Sequence, residues 1–173
     1  MTTQTRNDLT PAIRQKVAHT LLQHVADGID LYSQIKHAHW NVRGPHFIAI
    51  HEFLDKVAEA VEDHTDEMAE RAVQLGTSVP GTIRAASEAS SLKKYPLMAF
   101  ADALDHLAAV CDALADFGAK IRKSIETTSV AGDADTADLL TGVSRTSDKF
   151  LWMAEAHLDH SKAASATAGR KSA

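Results

Sequence analysis

The segment HFIAIHEFLDKVAEAVEDHTDEMAERAVQLG, residues 46–76, decides the fold. An α-helix advances about 100° per residue. With Phe47 taken as zero, Ile50, Leu54, Val57, Val61, Met68, Ala72 and Leu75 fall between roughly 280° and 340°. So narrow an apolar stripe marks a helix that lays one face on a core, and Gly76 closes it. A second stripe carries His51, Asp55, Asp66 and Glu70 at roughly 40°, 80°, 100° and 140°. Those four side chains point away from the bundle interior.

Outward from this helix the same periodicity recurs. Ile13, Val17, Leu21, Leu22, Val25, Ile29, Leu31 and Ile35 predict a first helix from about Pro11 to His39, with Thr10 as its cap and Pro11 in its first turn. Gly44-Pro45 separates the two helices. Beyond Gly76 a long connection, Thr77 to Pro96, is broken at Val79-Pro80-Gly81 and at Tyr95-Pro96, and its alanine-rich middle, Thr82 to Ser90, predicts a short helix. A third long helix is expected from about Leu97 to Ile125 and a fourth from about Asp135 to His160. The fold class is therefore all-α, a four-helix bundle with one long crossover between helices two and three. Residues 1–10 read as a flexible leader and residues 11–160 as one domain. Residues 161–173 lack large apolar side chains and acids. They carry Lys162, Arg170 and Lys171, which predicts a disordered basic tail.

Composition narrows the function classes. The chain of 173 residues has a formal charge of -5, which argues against a broad nucleic-acid-binding face on the folded body and leaves only the tail for such contacts. A single cysteine, Cys111, excludes an internal disulfide and fits a reducing cytosol. No run approaches the roughly 18 apolar residues that span a bilayer, and Met1 to Asp8 lack the plan of a signal peptide.

The second stripe presents a geometric problem. His51 and Asp55 are one helical turn apart and can share a metal, as can Asp66 and Glu70. The two pairs lie about 16 Å apart along the axis, too far for one ion. An antiparallel second copy of the helix across a two-fold axis would set residues 51 and 55 of one chain against 66 and 70 of the other. His39 ends the first helix near the start of the second and can join. Two imidazoles and three carboxylates suit Fe(II) and, less selectively, Zn(II) or Mn(II). The alternative is an ordinary solvated acidic face, which is how Glu52, Glu59, Glu62 and Glu67 read. His19, His24, His64 and His106 read as core or surface residues. An intra-bundle di-iron site needs Glu-x-x-His on two helices, and the chain has no such motif.

These residues also carry a resemblance. His39-Trp40-Asn41-Val42-Arg43-Gly44, Phe47 to Asp55, and Asp63-His64-Thr65-Asp66-Glu67-Met68-Ala69-Glu70-Arg71 resemble the Dps family, the mini-ferritins called DNA-binding proteins from starved cells. Lys94-Tyr95-Pro96-Leu97, Asp135-Thr136-Ala137-Asp138 and Asp148-Lys149-Phe150-Leu151-Trp152 extend the likeness across about Ala12 to Leu158. The resemblance implies a ferritin-like bundle assembled as a hollow dodecamer, with a ferroxidase site between two-fold partners. His39, His51 and Asp55 would come from one chain, Asp66 and Glu70 from the other. It implies oxidation of Fe(II), with hydrogen peroxide as preferred oxidant, and storage of the ferric product. Trp40 and Trp152 match positions near that centre. Asp133, Asp135 and Asp138 resemble the acidic lining of iron-entry pores. Two rival functions are a DNA-condensing protein acting through its tail and a metal-binding oligomer without redox work.

Overall fold

A computed structural model describes residues 4–96 and 102–169, with side chains to Leu158 in the last helix. Its order is α1 (Pro11–Asn41), α2 (Phe47–Gln74), α3 (Ile83–Ala89), α4 (Ala103–Val130) and α5 (Ala134–Gly169). The sequence dictates most of the boundaries. Thr10 caps α1 by accepting from Ile13 N, ahead of Pro11, whose missing N–H costs nothing in a first turn. Thr82 caps α3 in the same way through Ala85 N. Gly76 takes φ 89° just past α2, a left-handed turn that a residue with a Cβ adopts at a cost.

Several boundaries differ from the sequence reading, among them the end of α4, which runs past the expected Ile125 to Val130. The described part of α4 begins at Ala103. Asp102 accepts from Leu104 N, and Asp105 reaches back to Asp102 N, so two orphan amides are satisfied reciprocally. The expected start at Leu97 falls on residues 97–101, outside the described residues. Helix α5 starts one residue before the expected Asp135, because Asp133 caps it by accepting from Thr136 N at 3.0 Å. The same helix runs beyond the expected end at His160, to Gly169. Four of the nine residues 161–169 are alanine, the best helix former, so the chain has no local reason to stop. Arg170 and Lys171 lie outside the described residues, and nothing is described of the Lys162 side chain.

Helices α1 and α2 pack as one pair and α4 and α5 as another, joined through α1 against α4. His24 of α1 meets Ser124 of α4, and His37 meets His106, so these helices run antiparallel. That makes α2 and α4 parallel, and a parallel step requires the crossover to travel the length of the bundle. Asp27, fully buried on α1, holds the crossover by accepting from Ser91 N at 2.6 Å and from the Ser91 hydroxyl at 3.0 Å. Leu21, Leu31, Ile35, Ile50, Leu54, Met68, Leu107, Leu114, Ile121 and Leu140 fill the interior between the pairs. Each such side chain contributes about 1.5–3 kcal/mol on leaving water. Cys111 is buried there, and burial pushes its thiol pKa up to about 12.

His24 is the core's acid-sensitive point. Burial lowers its pKa to about 4, against an ordinary 6.5, while Asp27 opposes the shift and Lys120 adds to it. Between those values the unfolded chain binds a proton that the folded chain refuses, so stability is lost as pH falls from about 6.5 towards 4. The melting temperature, measured across that range, should fall less steeply in His24→Gln than in the native chain.

Candidate metal centre

Gly28 sets the approach of α1 to α2. A Cβ built there would lie 2.3 Å from Thr65 Oγ1, so any larger residue would force the helices apart. The close contact fixes one sliding register, and eleven residues further along α1 it brings His39 onto His51. Their rings stack with centroids 3.7 Å apart and planes 23° from parallel. His39 Nδ1 lies 3.0 Å from the carbonyl of His51, and His51 Nδ1 lies 3.0 Å from the carbonyl of His39.

A carbonyl oxygen can only accept, so each Nδ1 carries the proton. In the neutral tautomer that this arrangement selects, Nε2 carries the lone pair, and that is the form that binds metals. Asp55, one turn beyond His51, completes the group. His39, His51 and Asp55 each offer a ligand atom, all within 4.8 Å of one another, and among the described residues they form the one such cluster. His39 is buried at 7% exposure, His51 is half-buried and Asp55 is exposed. The centre is therefore floored by protein and open on one side.

Lys36, missed by the sequence reading, also enters this group. It lies one turn before His39 on α1, and its Nζ donates to Asp55 Oδ1 at 2.6 Å. That hydrogen bond is the main reason the Asp55 carboxyl is held below its usual range, and His39 and His51 push the same way. The signal lay in the spacing: a residue three before His39 shares its face.

Asp66 and Glu70 stand exposed on α2, away from the cluster within one chain. Around them the same face exposes Ile48 at 61% and Val73 at 57%, with Trp40 at 71% on the neighbouring end of α1. Ile48 and Val73, His51 and Glu70, and Asp55 and Asp66 are three pairs with one midpoint, between Ala60 and Val61. Trp152 is exposed on α5.

Asp133 departs from the reading of a pore acid. It is buried at 2% exposure, accepts from Arg71 Nη2 at 2.7 Å, and accepts from the Thr136 hydroxyl at 2.7 Å. Burial works to raise its pKa, but the Thr136 hydrogen bonds and the Arg71 charge outweigh it, and the carboxyl stays below its usual range. Its lone pairs are committed to capping α5 and to tying α5 to α2, so it cannot line a channel. Asp135, whose side chain is 84% exposed, lies 3.8 Å from Arg71 Nη2 at the edge of the same ion pair, and Asp138 is exposed.

Comparison with known proteins agrees with this architecture. A family model described as a ferritin-like domain matches residues 18–164. The chain is a ferritin-like protein. It is 41% identical over 157 residues to the DNA protection during starvation protein of Agrobacterium fabrum, covering 91% of this chain and 96% of that protein. The corresponding protein of Mycolicibacterium smegmatis is 35% identical over 160 residues, covering 92% and 86%. Among solved structures, Mycobacterium smegmatis Dps superposes with a TM-score of 0.86 at 35% identity, covering 91% of this chain and 89% of that one. The chain belongs to the Dps family.

Arg71 sits next to Glu70, so its ion pair anchors the end of α2 that carries the second polar pair. Arg71→Met would leave the Asp133 carboxylate buried without its partner and should cost about 3–5 kcal/mol. Urea unfolding should register that loss, and a smaller one when Arg71→Met is combined with Asp133→Asn.

Proposed function

We propose that the protein is an iron-oxidising and iron-storing cage, built as a dodecamer in the cytosol. Its reaction centres would lie between two-fold-related chains. The reciprocal His39–His51 clasp carries this reading. It holds two imidazoles side by side, each with its Nδ1–H on the other residue's carbonyl, and it sets the Asp55 carboxylate beside them. A solvated acidic face has no use for such an arrangement.

The shared midpoint of the three pairs supplies the other half. An antiparallel partner would bring its Asp66 and Glu70 to Asp55 and His51, and would cover Ile48 with Val73. The mixed set of imidazole and carboxylate then suits Fe(II), and the hard carboxylate oxygens favour the ferric product. Iron is the substrate. Each hydrogen peroxide takes one electron from each of two Fe(II) ions and, with two protons, leaves as two waters, so neither reagent remains to form hydroxyl radical. Relatives bear the name DNA protection during starvation protein, and removing those two reagents together would protect DNA without any contact to it. Asp135 and Asp138 are the exposed acids left to draw Fe(II) inward. Trp40 and Trp152 are the exposed aromatics assigned near the centre.

His51→Ala and Glu70→Ala should each lower the initial rate of peroxide-dependent ferric absorbance at least tenfold, an expectation on the order of one lost ligand. Cages assembled from an equal mixture of the two variants should regain about one quarter of the native rate. Only interfaces joining unlike chains contain an intact centre, and they contain one of two. Verified mixed cages with no recovery would rule out a centre shared between chains.

A further inference from the structure

We infer that Lys36 is a resident counter-ion of the centre, a cation built into the protein that occupies Asp55 until a divalent metal displaces it, and that thereby sets the affinity of the site. The inference rests on the metal-binding reading above and adds a residue that no ligand set includes.

Position is the first observation. Lys36 projects from α1 into the cluster, with its side chain only 19% exposed, although a lysine on a helix surface normally carries its head into water. Its Nζ is 2.6 Å from Asp55 Oδ1, in a carboxylate that stands within 4.8 Å of a ring nitrogen of each histidine. An ammonium has three N–H donors and no lone pair, so it cannot itself ligate a metal. A divalent ion held by Asp55 would share that carboxylate with Nζ, and the two cations repel each other, the doubly charged ion twice as strongly as a single charge. Metal and ammonium therefore compete for one carboxylate.

A second observation shows where the displaced group goes. Trp40 follows Lys36 by one turn of α1, and Lys36 Nζ lies 6.0 Å from its ring centroid. The ring face is a weak cation site within reach of a small rotation about the lysine stem, and it retains the charge near the protein. With Asp55 occupied by Lys36, the carboxylate is also kept from repelling other acids brought to it by a partner chain. The lysine thus stabilises the metal-free centre and weakens the loaded one. The exchange involves no proton: Lys36 remains charged in both positions.

Zinc, which binds the same donor types without redox change, is the probe. Full-length assembled protein would be titrated with Zn(II) by calorimetry, for the native chain and for His51→Ala, Lys36→Met and Lys36→Arg. Zinc binding that is lost in His51→Ala, on the order of tenfold tighter in Lys36→Met and no tighter in Lys36→Arg supports the inference; the tenfold figure is the order of a partly exposed ion pair at the upper end of its range, taken alone because Nζ swings away from the bound ion. Binding lost in His51→Ala but no tighter in Lys36→Met overturns the counter-ion role and leaves the metal centre standing. Binding that ignores His51→Ala overturns the metal reading itself. A crystal structure of the zinc-loaded native protein decides the case without a Lys36 variant. Lys36 Nζ should have moved beyond the roughly 4 Å ion-pair limit from Asp55, and an intact pair beside bound zinc would refute the proposal.

Discussion

Everything at the centre depends on how closely α1 approaches α2 at Gly28. Thr65 fills the space a side chain would need there, and its hydroxyl turns back to donate to the Val61 carbonyl at 2.6 Å, inside its own helix. The contact works as a stop. Helices that can slide along each other have many nearly equal registers, whereas a notch filled by one side chain admits one. That register is transmitted about 16 Å along α1, the rise of eleven residues, before it appears as a stacked pair of imidazoles. The precision of the ligand group comes from backbone packing, and the histidine clasp then locks ring orientation.

The large features of the fold were legible because they are periodic. The two stripes on α2 could be read from the wheel alone, and so could the conflict between them: one apolar stripe facing inward, one polar stripe facing outward, with ligands too far apart for one chain. His51 and Asp55 are legible by spacing because helical neighbours need only counting, and His39 because α1 ends close to where α2 begins. What escaped depends on side chains reaching across elements. Lys36 reads as one more solvated lysine until α1 is placed on α2, and Asp133 reads as a free acid until Arg71 is brought to it. Both errors share a cause. A charged residue in a sequence has a position but no partner, and the partner decides whether it is exposed, capping or paired. The tail poses another difficulty: the absence of large apolar residues predicts no packing, while alanine alone favours helix.

In the proposed assembly, helix α2 would serve two interiors at once. Its inner stripe belongs to the bundle, where Ile50, Leu54, Val57 and Met68 are fully buried. Its outer stripe leaves Ile48 and Val73 in water within a single chain. A helix under both demands tolerates few substitutions, since a change favourable to one face shifts the ligands on the other. The long crossover belongs to the same economy of position. By running along α1 and fastening to Asp27, it leaves the outer stripe of α2 uncovered.

The placement of Cys111 has a consequence for durability. Peroxide attacks the thiolate of cysteine, and the thiol form reacts far more slowly. With its pKa pushed up to about 12 and its sulfur enclosed among core side chains, the chain's single cysteine stays in the unreactive form at any physiological pH. If the protein consumes peroxide as proposed, its cysteine offers no sulfur for sulfenic acid formation or cross-linking between chains. Under that reading it would meet the oxidant as a bystander everywhere except at the proposed centre.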